Sequence, residues 1–584
     1  MTTKYLDSTK DTRIGLIVVA SFMFLLNVKA AYLEKIPIEI QQPDGMKLTV
    51  FMTGDEFYNW VHDDNGYTIV QDKNTGYYCY ALLENNELKA SQYIVGKSNP
   101  SQTTLTPYIN ISDEKIRKKR KENDMRISRA SNQGVTGLMN NLVIYIRFAD
   151  QEEFTSKQGI YSDIFNNENT CSLKSYFKEA SYNQLNIESA FYPLNNGDCI
   201  VSYQAPQNRS YYCSYDAISN PSGYKNVEEW RQREQGLLAD AVEFVKTQIP
   251  SSLNLDCNND GRIDNVCFII KGGASPWNTL LWPHQWTFTV KNVQINGKSL
   301  YDYNLQIENH LDGNVAVLCH EMGHTLGAPD LYHASSNGVP VGIWSIMANS
   351  SNPPRYMGAF ISHRYTKWIS SIPEISTSGR YVLNPLSSSS KNCYKIPLVE
   401  SSEYLVLEYR KKTGIFEAGI PSSGLLIYRI NENLSGNFNG DGFGGVTDEI
   451  YVFRPDGTLS SDGYVANATF SSDYNRTSFD EHSNPACFIS NGETRKIYIN
   501  NIQENANGTL SFDLSFCDGV DKSFSNTNNL PSYTKVSNSI TTSGNVVVKS
   551  TDKIIFEAGS QIKLNPGFKV EKGGEFKAII EQCK

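Results

Sequence analysis

The chain has 584 residues, with 53 Lys+Arg against 62 Asp+Glu and a formal net charge of −9. Hydrophobic residues make up 40% and charged residues 20%, a globular composition that excludes a largely disordered chain. A mean hydropathy of −0.41 with one long apolar run excludes a polytopic membrane protein, and the acidic balance argues against nucleic acid as a partner.

Taken from the N-terminus, residues 14–28 read IGLIVVASFMFLLNV, without a charge. That is short of the about 20 residues a bilayer span needs. Lys4, Lys10 and Arg13 precede it, and small residues around Ala30 follow. The pattern predicts a secretory signal peptide over residues 1–30 and no stable membrane span once it is removed, an uncleaved anchor being the alternative. Export permits disulfides. Cys199/Cys213 and Cys257/Cys267 are close enough in sequence to pair, but the 11 cysteines are an odd number, so one thiol is left over.

Residues 31–130 are expected to form a pro-domain of short alternating strands ending in a basic linker, 115–129, open to trypsin-like cleavage. LVIYIRF at 142–148 opens a new domain placed at 131–376, with helices at 172–180 and 227–247. The second helix is expected to put Leu237, Leu238, Ala241, Val242, Phe244 and Val245 on one face. Residues 377–516 alternate short strands with Gly, Asn and Ser, as in a β-sandwich. The final module, 517–584, is expected to be a small β-roll or sandwich serving secretion or surface attachment. The strands and helices together predict an α+β fold class.

The chemistry concentrates at VAVLCHEMGHTLGAPD, residues 315–330. Residues four apart on a helix share a face about 6 Å apart along the axis, so His320 and His324 can each reach one Zn²⁺. Glu321 lies beside them as a general base. Gly327 lets the helix end in a left-handed turn, after which Asp330 can supply the third ligand. His333 competes for that place. A thermolysin-like glutamate has a single distant candidate, Glu374, since no Asp or Glu lies between it and Asp330. GIWSIMA at 342–348 fits a tight turn that sets Met347 beneath the metal. Tyr356 and Tyr365 are candidate oxyanion donors. Cys319 is the expected free thiol, Cys79 a remote candidate for a thiolate cap on the metal, and His284 a packed residue.

Asp256, Asn258, Asp260, the Arg262 carbonyl and Asp264 follow the first part of a calcium loop, although Cys267 stands where its last Glu belongs. Residues 437–442 (NFNGDG) are a weaker version.

Several stretches carry a family likeness: LVIYIRFAD, LKSYFKEASYNQL, LWPHQW, the zinc helix, GIWSIMA, and YLVLEYRKKTGIFEAGIP with GLLIYRIN. Over residues 40 to 515 the sequence resembles the immune inhibitor A-like secreted metallopeptidases. Ser345 departs from the acidic residue that the resemblance would place before Ile-Met. The resemblance implies a pro-domain, a metzincin-like catalytic domain with a mixed sheet, an active-site helix and Asp as third ligand, and a β-sandwich behind it. The expected function is a secreted zinc endopeptidase made as a zymogen, acting on proteins or peptides and also carrying Ca²⁺. The alternative is a calcium-dependent surface or adhesion protein with a vestigial protease domain.

Overall fold

A computed structural model describes residues 33–54, 58–112, 114–116, 118, 136–273, 281–311, 314–333, 338–398, 401–495, 497–516 and 521–580. The expected signal peptide and most of the basic linker lie outside them. The protein is a mixed α/β chain in which sheets dominate. Among the described residues, no helix is long and apolar enough to cross a membrane.

The N-terminal strands β1 (Leu33–Gln41), β2 (Lys47–Gly54), β3 (Asn59–His62), β4 (Thr68–Gln71), β5 (Tyr78–Glu84) and β6 (Glu87–Ile94) form one antiparallel meander in sequence order. Its small core holds Ile40, Val50, Val61 and Ile69. Met52 points elsewhere: it is fully buried against Trp282 and Val317.

The central sheet is built from β7 (Gly137–Arg147), β8 (Leu185–Tyr192), β9 (Tyr203–Gln204), β11 (Val266–Ile270), β12 (His284–Thr287) and β15 (Asp302–Ile307), in the order β12-β15-β11-β7-β8, with β9 against β7. The β7, β8, β11 and β15 strands run parallel, and β12 is an antiparallel edge. A separate small sheet joins β10 (Arg262–Ile263), β13 (Val293–Ile295) and β14 (Lys298–Leu300). Parallel strands covered on both faces need apolar side chains at every position, which is why LVIYIRF reads as an unbroken run. Val143 and Tyr145 enter one core, while Leu142, Ile144 and Ile146 enter the other.

The first core takes helices α1 (Gln158–Asn166), α2 (Leu173–Ala180, capped by the Ser172 side chain) and, beyond the four-residue α4 (Glu308–Leu311), α5 (Ala316–Thr325). The second takes α3 (Val227–Val245), whose buried stripe includes Trp230, Leu237, Leu238, Ala241, Val242 and Val245. Phe244 is a correction: it lies off that stripe, 51% exposed, with its ring 5.6 Å from that of Tyr203. The short helix α6 (Ala359–Arg364) follows.

Behind these helices lie two antiparallel sheets. One is β16-β22-β21 (β16, Gly379–Leu383; β21, Tyr498–Glu504; β22, Leu510–Ser515). The other runs β17-β18-β19-β20 (β17, Cys393–Pro397; β18, Tyr404–Arg410; β19, Gly424–Ile430; β20, Ile450–Val452). Side chains alternate across a strand, and β18 uses both faces. Leu405, Leu407 and Tyr409 join the core shared with the first of these sheets, whereas Tyr404 and Val406 join the α1/α2/α5 core.

In the last unit the structure agrees with the β-roll alternative and sets aside the sandwich. All its strands pair in parallel: β23 (Asp521–Ser525) with β25 (Ser539–Ser543) and β28 (Gln561–Leu564), β24 (Tyr533–Val536) with β27 (Lys553–Ala558) and β30 (Glu575–Ile580), and β26 (Val546–Val548) with β29 (Phe568–Val570). Each strand sits over the one a coil later, a short β-solenoid whose interior holds Phe524 stacked on Phe556, Phe576 edge-on to Phe556, and Val and Ile. Solenoid and hairpin readings share the same short strands and glycines; only the long-range register distinguishes them.

Candidate active site

Helix α5 carries His320, Glu321 and His324, and all but His324 are fully buried in it. It ends as the sequence requires: Gly327 adopts φ +93, the Gly327 N–H donates to His324 O at 2.8 Å, and the Ala328 N–H donates to Gly323 O at 3.0 Å. This paired closure of the last turn needs a residue free to enter the left-handed region. The reversal brings Asp330 back over the helix.

His320, His324 and Asp330 each offer a ligand atom, all within 4.8 Å of one another. The two Nε2 atoms are 3.0 Å apart, and Asp330 Oδ1 lies 3.3 Å from His320 Nε2 and 3.1 Å from His324 Nε2. Each imidazole turns its Nδ1 to a backbone carbonyl: Ile346 O at 3.1 Å for His320 and Ala328 O at 2.8 Å for His324. A carbonyl only accepts, so Nδ1 bears the proton in both neutral rings and both Nε2 lone pairs face the carboxylate oxygen. Lone pairs converging at that spacing repel unless a cation joins them, and two nitrogens with one oxygen are a zinc donor set. Glu321 beside them is 1% exposed, and its Oε1 has no hydrogen-bond partner among the described residues. A buried carboxylate oxygen left unpaired is costly. The residues present therefore fit a divalent metal with a water to be deprotonated.

The turn at 342–348 lies under this helix. Met347 is fully buried, and its N–H donates to Ser345 Oγ at 3.2 Å, while Ser345 Oγ donates to Met357 O at 3.1 Å. Serine thus closes the turn where an acidic residue was expected. Met347 O accepts from the Leu331 N–H at 2.8 Å, so one turn supports His320 through Ile346 and the segment after Asp330 through Met347.

Other sequence candidates are placed elsewhere. His333 Nε2 is 2.5 Å from Asp448 Oδ1, both buried. Glu374 is exposed and pairs with Lys395 at 3.7 Å. The Tyr356 hydroxyl donates to Glu179, and that of Tyr365 donates to Glu449 at 2.7 Å. Burial, reinforced by those carboxylates, pushes both phenols up. His284 is packed, as expected, at the foot of Tyr303 and Glu234. Cys79 sits in β5 against Tyr77 O. Cys319 is fully buried, and burial pushes its thiol well up. Among the described cysteines no disulfide is formed, so neither expected pairing is present; Cys267 is enclosed in the central sheet.

The loop at 256–264 closes on itself. Asp256 accepts from the Asp260 and Gly261 N–H groups and from Lys298 Nζ at 2.7 Å; Asn258 Oδ1 accepts from the Asp260 N–H; Asp260 Oδ1 accepts from the Arg262 N–H; Asp264 accepts from the Cys257 N–H. Burial opposes ionisation of Asp256, but the Lys298 ammonium and the two amides outweigh it and hold its carboxyl below the usual range. In the weaker loop, Asn437 is a brace between strands: its amide donates to Leu331 O and Ile450 O and accepts from the Ile450 N–H.

Comparisons with known proteins place a known catalytic domain over this cluster. Residues 144–368 match the family model described as immune inhibitor A peptidase M6, catalytic domain. The chain carries an immune inhibitor A-like metallopeptidase domain. The matched residues run from within β7 through the rest of the central sheet, α1 to α6 and the whole cluster His320, Glu321, His324 and Asp330. The chain is 32% identical over 111 residues to "Immune inhibitor A" of Bacillus thuringiensis subsp. alesti, covering 16% of this chain and 16% of that protein. It is 25% identical over 243 residues to "Pre-pro-metalloprotease PrtV" of Vibrio cholerae serotype O1 (strain M66-2), covering 37% of this chain and 25% of that protein. The matches thus span a quarter or less of these relatives' length. OgpA from Akkermansia muciniphila, known from its crystal structure, aligns with 49% of this chain and 75% of its own at 13% identity; its TM-score of 0.23 carries no argument.

Sequence reading missed the residues that hold the 342–348 turn from behind. Arg410 donates to Trp344 O at 2.6 Å, and Glu417 binds Arg410 through both oxygens at 2.6 and 2.7 Å. The signal was present: Glu408 and Arg410 alternate on one face of an otherwise apolar strand.

Proposed function

We propose that this protein is a secreted zinc-dependent endopeptidase made as a zymogen, with His320, His324 and Asp330 holding Zn²⁺ and Glu321 acting as general base. The observation that carries the proposal is the convergence of two imidazole nitrogens and one carboxylate oxygen, with a buried Glu321 oxygen that has no hydrogen-bond partner among the described residues on the same helix. When bound, zinc supplies Lewis acidity that polarises the scissile carbonyl and lowers the pKa of a water. Ile346 O and Ala328 O hold the two rings with Nε2 presented. Asp330 brings a negative charge where a third imidazole would be neutral, so the site is less positive and Glu321 does more of the deprotonation. Glu321 takes the proton of the attacking water and returns it to the leaving amine as the C–N bond breaks. Its burial keeps bulk water from competing for that proton.

The metzincin-like reading is supported by Met347 beneath α5 and by the single antiparallel edge strand β12. Signal peptide (1–30), pro-segment with linker (31–130), catalytic domain (131–376), β-sandwich (377–516) and terminal module (517–584) belong to the same proposal. For the pro-segment the support is Met52, which packs on Val317 in the helix that carries the ligands. A calcium ion at Asp256–Asp264 is supported only by ligand spacing, and it would have to displace Lys298 from Asp256; calorimetric titration of Ca²⁺ into wild-type protein and Asp256→Asn tests it. The adhesion alternative has no observation in its favour, since all four residues of the catalytic set stand together.

The test is metal analysis of the purified chain together with casein hydrolysis. One zinc per chain is expected, with activity removed by a chelator and restored by zinc. Full activity in chelator would overturn the reading.

A further inference from the structure

Buried ion pairs contribute little net stability compared with apolar packing of the same volume, so a charged network at the core of the molecule calls for another use. β18 carries one. Arg410 is fully buried, as is Glu408, and Glu417 is 3% exposed. The Arg410 guanidinium is fixed on three sides: Nε and Nη2 by the two oxygens of Glu417, Nη1 by Glu408 Oε1 at 3.2 Å and by Trp344 O at 2.6 Å. The two carboxylates reach on to the segment after the turn. Glu417 accepts from the Tyr356 N–H at 3.1 Å, and Glu408 accepts from the Ala359 N–H at 2.7 Å and the Tyr428 hydroxyl at 2.8 Å. The Trp344 indole is held from the same side, donating to Val465 O at 2.6 Å. Two residues after Trp344, the Ile346 carbonyl accepts from His320 Nδ1.

We propose that Arg410 is a positioning residue for the metal site, fixing the Trp344 carbonyl so that the 342–348 turn presents Ile346 O to His320. The β17–β20 sheet is then part of the catalytic unit. Alternation on β18 makes this possible: the face carrying Glu408 and Arg410 is the one whose Tyr404 and Val406 enter the α5 core. A lysine has one ammonium in place of the planar fork, so it can answer Glu417 or reach Trp344 O but cannot reproduce both at once.

This inference rests on the zinc reading, and the experiment separates the two. The full chain is compared with Arg410→Lys, Glu417→Gln and, as a control, Arg429→Lys. Arg429 is equally buried on the neighbouring strand but donates to Gly444 O, away from the turn. Zinc affinity is read by competition with a chromophoric chelator, alongside the unfolding temperature of the zinc-free form. Arg410→Lys is expected to weaken zinc binding about tenfold, the usual scale for groups that orient a ligand, and to lower kcat more than it raises KM. Arg429→Lys is expected to lower the unfolding temperature similarly with zinc affinity within about twofold of wild type. Wild-type zinc affinity in folded Arg410→Lys would overturn the proposal, as would an equal loss in Arg429→Lys. If Arg410→Lys does not fold, Glu417→Gln decides: weaker zinc binding supports the proposal and unchanged binding overturns it. Absence of zinc binding by the wild type would remove the metal reading itself, and the proposal with it.

Discussion

Gly323 and Met347 are fitted to each other: a Cβ built on Gly323 would lie 2.7 Å from Met347 Sδ and 3.1 Å from Met357 Cε. The position immediately before His324 is therefore a glycine for reasons of space. The helix lies directly on the methionine of the turn beneath it, and the turn in turn fixes His320.

Gly323→Ala should cost about 1–3 kcal/mol, the usual penalty for overpacking a close-packed core. Met347→Ala should also destabilise, by leaving a cavity. Because the two changes meet at one contact, the double variant should cost less than the sum of the singles. Denaturant unfolding of all four forms measures this, and strict additivity would show that the contact is not made.

Asp330→Ala should leave the fold intact and weaken zinc binding by at least the 10- to 100-fold typical of losing a supporting group. Glu374→Ala should leave zinc affinity unchanged, since its carboxylate serves Lys395. Competition with a chelator reads both, and the opposite ranking would place the third ligand on Glu374.

Tyr356→Phe should be a stability variant. Its hydroxyl is committed to Glu179, so losing that bond should cost about 1–3 kcal/mol while kcat changes by less than about threefold. Loss of an oxyanion donor would instead cost about 10²–10³ in kcat. Steady-state kinetics distinguishes the two.

Asp256→Asn tests the loop through pH. The Asp256 carboxyl is held below its ordinary value of 3.8 by Lys298 and two amides, against its burial. A depressed acid contributes stability that is present above its unfolded pKa and lost as pH falls through the folded one. The variant should therefore unfold at lower temperature than wild type at about pH 7, with the gap closing below about pH 4. A gap independent of pH would mean that the charge of Asp256 is not what Lys298 holds.

The meeting of His320, His324 and Asp330 was legible because its spacing is local: one helix, one glycine and one reversal lie within eleven residues of sequence, and each leaves a mark in residue type. The central strands were legible for a similar reason, since double burial writes itself as LVIYIRF. Phe244 was misplaced because helical periodicity alone does not fix the edge of a stripe. The terminal unit was legible as a β-roll or sandwich but not as one of the two, because parallel stacking is a register between distant strands, whereas short strands and glycines are common to both. Arg410 was legible only in part: its alternation with Glu408 on an apolar strand shows in the sequence, but its partner is the carbonyl of Trp344, and no residue type records where a backbone oxygen will lie.

The most direct test of the account is Glu321→Gln in the full chain, assayed for zinc content and for hydrolysis of casein. The substitution keeps shape and burial and removes only the ability to take a proton. The account predicts one bound zinc with hydrolysis reduced by at least about 10²-fold, the lower end of what a positioned general base contributes. A zinc-loaded Glu321→Gln protein that cleaves casein at the wild-type rate would contradict it.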